Sequence, residues 1–355
     1  MFRISMLPAN HGDCLWIEYG PEEAPHRVLI DGGPEWAFPH IQAKIPEGGC
    51  TFDLLVITHV DRDHIGGVLK LLTHLPDGVE FGDIWFNAWQ HLPTDLLGPA
   101  QGEMVSAVIQ TRGLPWNEAF GGMDEPVQVG DDGKPVSKEL PGGMRLTLLS
   151  PNRDDLGRLR PKWKDEVEKA GLEPGSTDDA LRELREREDV PPDLLGDEGP
   201  PDPRNDIEQE FVSDTSEANG SSIVLLAEFE EKKALLVGDA FPSLVLRGLS
   251  RVSEGKLPVD ALKLSHHGSK KNTDTALIEA LRCSRYLVST NGAMYGHPNH
   301  APLSRVVCKG GPEPTLFFNY RTKWNEVWDD DALKDEYDYE AEYPEEGSSG
   351  LTVEL

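Results

Sequence analysis

Short apolar runs divided by polar turn material set the pattern of the chain from its first residues. FRISML (2–7), CLWIEY (14–19) and HRVLIDGG (26–33) read as three strands of a meander, because PANHGD and GPEEAP between them supply turn residues. FDLLVI (52–57) is a continuous apolar run of the kind a buried strand shows, and IGGVLKLLTHL (65–75) continues as an amphipathic helix. DIWFNAW (83–89) reads as a strand, QHLPTDLLGPAQGEMVSAVIQTRG (90–113) as a loop followed by a helix, and MRLTLLSP (144–151) as a further strand. SIVLLAEF (222–229) and KKALLVGD (232–239) form a hairpin across a short charged turn, and FPSLVLRGL (241–249) follows as a helix. VDALKLS, TDTALIEALR and RYLVST (259–290) make a βαβ-like unit, TLFFNY (315–320) is another strand, and LTVEL (351–355) is expected to pair back as an edge strand.

Two stretches break the pattern. Residues 152–218 carry the exposed-helix charge pattern DDALRELREREDV and the proline-rich, acidic PPDLLGDEGPPDPRNDIEQE, with few apolar residues for a core. They are expected to form an acidic, partly disordered insertion between a first half (1–151) and a second half (219–327) of one domain. The acidic run from Trp328 to Glu346 is expected to be a solvated tail (328–355) that ends in the edge strand.

Bulk composition narrows the class. A chain of 355 residues is long enough for one elaborate α/β domain or two ordinary ones, and no apolar run approaches bilayer length. The N-terminus has no basic segment leading into an apolar signal core, which points to a cytoplasmic protein without a membrane partner. Cys14, Cys50, Cys283 and Cys308 are far apart and form no CxxC pair, so neither a zinc ribbon nor a disulfide framework is indicated. A formal charge of −29 disfavours long duplex DNA, so a polyanionic substrate would need local cations.

The candidate chemistry is concentrated in THVDRDHIGG (58–67), where His59, Asp61, Asp63 and His64 fall within six residues between the apolar run and the helix. Residues two apart on an extended segment face one way, so His59, Asp61 and Asp63 can converge while His64 turns to a neighbouring position. That geometry suits two adjacent metal ions. Asp239 ends a buried strand and is able to bridge two metals or to cap the next helix. His266 and His267 end another strand; side chains of neighbouring strand residues point opposite ways, so only one is expected at the metal unless the chain has already turned. Asp31, beside Gly32 and Gly33, either orients a metal-bound histidine or bonds its own turn; Asp13 has the weaker case. His74 and His91 read as ordinary surface or helix-end histidines.

Five segments in order, ITHVDRDHIGG, NGSSIV, LLVGDA, LSHHGS and NGAMYGHP, resemble the metallo-β-lactamase superfamily, and within it the hydrolase domain of the ComEC/Rec2 competence proteins, without their transmembrane region. The resemblance implies a four-layer αββα sandwich with metals at one edge. It implies His59, Asp61, Asp63, His64, Asp239 and His266 as ligands, Asp63 also counting as catalytic. His267 is then a proton-handling or supporting residue, and Asn219 with Ser222 stands behind the ligands where many members have a histidine. Asp61 replaces the usual histidine of the signature, which leaves one metal position poor in nitrogen. Zinc is the expected metal, with manganese or iron as alternatives where carboxylates dominate, and a shared hydroxide is the expected nucleophile.

A phosphodiesterase or nuclease-like hydrolase of a small phosphodiester or short nucleic acid is the leading expectation. Ser269, Lys270, Lys271, Asn291 and His300 are then candidates to hold substrate, and His297 is a candidate general acid. An ester, lactone or thioester hydrolase of the same fold, or a non-catalytic metal-binding regulatory module, are the alternatives. The acidic insertion or tail is a possible surface for a protein partner.

Overall fold

The computed structural model describes residues 1–92, 100–159, 176, 180 and 199–355. Most of the 152–218 insertion, including the DDALRELREREDV helix, therefore lies outside the described residues.

The strands assemble into two large sheets. In the first, Leu351–Glu354, Phe2–Met6, Leu15–Tyr19 and His26–Ile30 run antiparallel in that order. Leu54–Val56 and Ile84–Trp85 then add in parallel. The second sheet begins with five parallel strands, Glu340–Glu342, Thr315–Phe318, Arg285–Val288, Ala261–Lys263 and Lys232–Leu236. The antiparallel strands Val224–Phe229, Arg145–Ser150 and Val136–Glu139 complete it.

Alternating side chains decide how the sheets stack. Ile4, Ile17, Val28 and Ile30 from the first sheet bury against Leu146, Leu148, Leu225 and Leu287 from the second, forming the central core. Trp16, Leu29 and Leu55 point the other way, under helices Arg62–Thr73 and Ala100–Arg112. On the far side, Leu235, Leu262 and Tyr286 are covered by helices Pro242–Val252, Thr275–Glu279 and His300–Lys309. The architecture is a four-layer αββα sandwich of the metallo-β-lactamase fold, as the motif order implies. Among the described residues, no helix is long and apolar enough to cross a membrane.

Several local expectations change. FDLLVI is not one strand: Thr51–Phe52 leaves to pair with Glu80–Phe81, and only Leu54–Val56 joins the sheet. TDTALIEALR is helical only over Thr275–Glu279, because Leu281–Arg282 turns into a short strand beside Leu257–Pro258. Helices Phe38–Lys44 and His300–Lys309 were not foreseen.

The acidic tail is built into the fold, although most of its charged side chains stay exposed. Trp328 is fully buried, Asp330 caps helix Asp331–Tyr337, and Glu340–Glu342 extends the second sheet. Both described ends of the insertion are also packed. Asp155 is buried and paired with Arg158 and Arg247, which fastens that segment to helix Pro242–Val252. Helix Pro203–Asp206 lies on His300–Lys309, where the Ser304 hydroxyl donates to Asp206 Oδ2 at 3.2 Å. LTVEL pairs with the first strand at the sheet edge, as expected.

Candidate metal centre

The site lies where loops leave the C-terminal ends of strands in both sheets. His59 and Asp61 follow Leu54–Val56, and Asp63 and His64 occupy the first turn of helix Arg62–Thr73. From the other sheet come Asp239, after Lys232–Leu236, and the pair His266 and His267, after Ala261–Lys263.

One carboxylate fixes two of the imidazoles. Asp31, in the left-handed region with φ 57°, accepts from the Thr58 amide at 2.8 Å, the Thr58 hydroxyl at 2.7 Å and His64 Nδ1 at 2.8 Å. Since the Thr58 hydroxyl proton is given to Asp31, its oxygen accepts from His59 Nδ1 at 3.0 Å. His267 Nδ1 donates to the Ser289 carbonyl at 2.9 Å. In each imidazole the proton is thereby held on Nδ1, leaving Nε2 with a free lone pair. The Nε2 atoms of His59, His64 and His267, with Asp239 Oδ1, are buried without a hydrogen-bond partner.

Buried polar atoms are ordinarily paired, so four orphaned acceptors converging in one place are an arrangement that a cation satisfies. Distances agree. His64 Nε2 is 3.4 Å from Asp239 Oδ1, His59 Nε2 is 3.9 Å from Asp239 Oδ2, and His267 Nε2 is 3.5 Å from Asp63 Oδ2. Two ligands at about 2.1 Å from one tetrahedral ion are separated by roughly 3.4 Å. The candidate ligand atoms form two groups, His59, His64 and Asp239, and Asp63, His64 and His267. Asp61 Oδ2 adds an oxygen 3.6 Å from His59 Nε2.

Electrostatics carry the same demand. Burial opposes protonation of His64, yet Asp239 and Asp31 raise it well above an ordinary histidine. Burial likewise opposes protonation of His267, but Asp13 and Asp239 raise it to about 9. Burial alone would raise Asp239, but His64, His266 and His267 bring it well below the usual carboxylate range. The carboxylates around these rings thus favour positive charge at the centre.

His266 and His267 do not sit on a strand as the alternation rule supposed. Both are in the left-handed region, with φ 48° and 56°, and Gly268 follows at φ 80°. The resulting turn aims both rings at Asp239, with His266 Nε2 at 3.6 Å and His267 Nε2 at 3.8 Å from Oδ2. Here the expected roles shift: His267, not His266, groups with Asp63 and His64. The left-handed conformation costs a non-glycine residue about 1 kcal/mol or more, and surrounding contacts must hold it. Two do so: Ser265 Oγ donates to the Ala240 carbonyl at 2.7 Å, and Asn272 Nδ2 donates to the Asp239 carbonyl at 3.0 Å.

A cavity of about 650 Å³ opens beside the centre, lined among others by Asp61, Asn219, His266, Tyr295 and His297. Ser269 and the exposed Lys270 and Lys271 also line it. Burial lowers His297 to about 3, helped by His266 and His267, so its ring is neutral and its Nδ1 is unpartnered. Asn219 Nδ2 donates to Asp214 Oδ2 at 2.6 Å. Ser222 is fully buried with an unpartnered hydroxyl and does not line the cavity.

Two expected substrate contacts are absent from the lining. Asn291 spends its side chain on Asn10 at 3.1 Å and on the Ala293 amide at 2.9 Å, and His300 starts a helix against Trp328. His91 is structural: its Nδ1 accepts from the Ala88 amide, its Nε2 donates to the Met123 carbonyl, and burial lowers it to about 4.

No sequence signal points to Asp214. It accepts from Asn219 and Asn272 and lies 3.4 Å from His266 Nδ1, but its acidic surroundings in the sequence carry no motif. Asp13 was underrated. It is buried with Lys263 Nζ at 2.7 Å, and its other oxygen is 3.4 Å from His267 Nδ1.

The fold and this histidine–aspartate cluster define a metallo-β-lactamase-type domain with candidate ligands for divalent metal. Residues 11–138 match the family model described as Metallo-beta-lactamase superfamily. Over 77 residues, 22% of the chain, it is 34% identical to hydroxyacylglutathione hydrolase of Aliivibrio salmonicida and 31% identical to that of Photobacterium profundum. The matched stretch spans 29% of each relative's length. Among solved structures, the Zn(2+)-bound PqqB from Methylobacterium extorquens (12% identity, TM-score 0.43) and the metallo-beta-lactamase fold protein YhfI from Bacillus subtilis (8% identity, TM-score 0.41) align over 100% of both chains.

Proposed function

We propose that this protein is a metal-dependent hydrolase of small phosphodiesters, cleaving them at a centre held by His59, His64, Asp239, Asp63 and His267. The observation that carries the reading is the convergence of three Nδ1-anchored imidazoles and a carboxylate whose facing atoms are buried without partners. When bound, divalent ions supply Lewis acidity and lower the pKa of water from 15.7 toward about 7. Zinc suits the imidazole-bearing positions, and manganese or iron suits the oxygen-rich side near Asp61.

The chain's own residues supply the rest. Asp31 and Thr58 hold His59 and His64 in one tautomer and one orientation. Lys270 and Lys271 bring positive charge to a cavity otherwise rich in carboxylates, where they meet phosphate oxygens. His297, neutral within the cavity wall, offers a ring nitrogen to the leaving group by hydrogen bonding. A cavity of about 650 Å³ suits a small substrate, and the net charge of −29 works against long duplex DNA. The resemblance of the five segments, in order, to ComEC/Rec2 hydrolase domains supports the phosphodiester assignment.

A second reading, thioester hydrolysis, is favoured by the 77-residue similarity to hydroxyacylglutathione hydrolases. Metal analysis of the purified protein, with rates on bis(p-nitrophenyl) phosphate and on a hydroxyacylglutathione thioester under added zinc or manganese, separates the two. Phosphodiester turnover that is lost in His59→Ala and Asp239→Ala is the expected result. Thioester turnover alone would move the substrate and keep the centre, whereas metal content unchanged in both variants would remove the centre itself.

A further inference from the structure

We infer that Trp36 and Tyr295, both in ring contact with His11 and the second of them in the cavity wall, form a stacking subsite for a planar heteroaromatic group carried by the substrate, such as a nucleobase. The inference rests on the phosphodiester reading above and specifies what the ester carries.

Large apolar side chains in this fold are overwhelmingly buried. Among the described residues, Trp36, Met123, Val212 and Tyr295 are the large ones left exposed, and the two aromatics, at 43% and 45% exposure, belong to one cluster. Their centroids lie 5.8 Å and 6.2 Å from that of His11, with interplanar angles of 60° and 86°. Such edge contacts brace the rings without parallel stacking, and the exposure that remains leaves part of each ring open to a ligand. Tyr295 also lines the cavity and lies 5.9 Å from His297, so the rim is continuous with the catalytic pocket.

The rim is built to stay in place. Trp36 projects from the short helix Glu35–Ala37, which follows the turn that contains Asp31. Tyr295 belongs to the loop after Asn291, which is fastened to the loop of His11 twice: its amide donates to the Asn10 carbonyl at 2.6 Å, and its side-chain amide donates to Asn10 Oδ1 at 3.1 Å. Asn10 is itself held by the Tyr320 hydroxyl at 2.9 Å. Behind the same loop, a Cβ on Gly292 would meet Trp324 at 2.1 Å, so the backbone there is packed tightly. Aromatic surfaces fixed before binding lose little entropy when a flat ligand arrives. The cavity volume suits one nucleotide-sized ligand beside the centre.

The test is calorimetric binding of adenosine 5′-monophosphate and of ribose 5-phosphate to the zinc-loaded full chain and to Trp36→Leu, Tyr295→Leu and Tyr295→Phe. The nucleotide should bind at least about tenfold more tightly than the sugar phosphate, the scale of one base–aromatic stack. Each leucine variant should reduce nucleotide affinity by roughly tenfold with little effect on the sugar phosphate, and Tyr295→Phe, which keeps the ring, should retain it. Equal affinity for the two ligands, equal losses for both in the leucine variants, or no nucleotide binding would each overturn the subsite. Rates on bis(p-nitrophenyl) phosphate with the same samples separate the two ideas. Turnover without base preference overturns the rim alone, and base preference without turnover overturns the phosphodiester reading alone.

Discussion

Replacing Lys263 by methionine should destabilise the protein by about 3 to 5 kcal/mol, which is what breaking one side of a buried ion pair costs. Lys263 and Asp13 are both essentially inaccessible, at 1% and 2% exposure, and Nζ lies 2.7 Å from the carboxylate. The ammonium also donates to the Leu264 carbonyl at 3.0 Å. Methionine fills nearly the same volume, so little of the loss comes from a cavity. The penalty arises because Asp13 loses its closest counter-ion in a buried site and keeps only His267, whose Nδ1 lies 3.4 Å away. Removing both partners should recover most of the loss, so that Asp13→Leu with Lys263→Met is far more stable than the sum of the single effects predicts. Guanidinium unfolding of the four proteins, with metal content held constant, measures the cycle. A single-variant loss below about 1 kcal/mol, or strict additivity in the double variant, would refute the argument.

His267→Ala should lose about one metal equivalent per chain by elemental analysis while His266→Ala retains it, since only His267 groups with Asp63 and His64. Gly12→Ala should weaken zinc binding at least about tenfold in competition with a chromogenic chelator, because its new methyl would lie 1.8 Å from the Asp63 carbonyl oxygen and must displace the ligand loop. Trp328→Ala should cost about 3 to 5 kcal/mol in urea unfolding, and a loss near zero would mean that the acidic C-terminal segment is not part of the second core.

Local signals made much of this architecture legible. The apolar runs specified the strands because each is buried on one or both faces, and the dense ligand motif announced itself by residue type within six positions. What escaped was set by distant contacts. Nothing local marks Asp214, whose place depends on Asn219, Asn272 and the Lys271 carbonyl that accepts from its amide. The left-handed turn at His266 and His267 inverted an argument based on strand alternation, since two residues with positive φ bring neighbouring rings to one side. Trp328, Tyr339 and Tyr343 were hidden in a run of acids, but three aromatics are enough to fold such a run onto a hydrophobic face. Helix His300–Lys309 carries Pro302 in its first turn, where a missing amide costs no helical hydrogen bond.

The pairing of Leu351–Glu354 with Phe2–Met6 couples the order of synthesis to the order of assembly. Phe2–Met6 must wait for a partner made much later, with Arg3 meeting Glu354 and Ser5 meeting Thr352 only after some 350 residues have been added. Until then that strand presents an open edge, able to pair with another nascent chain. A chain cut before residue 351 would therefore keep that border open and adhesive.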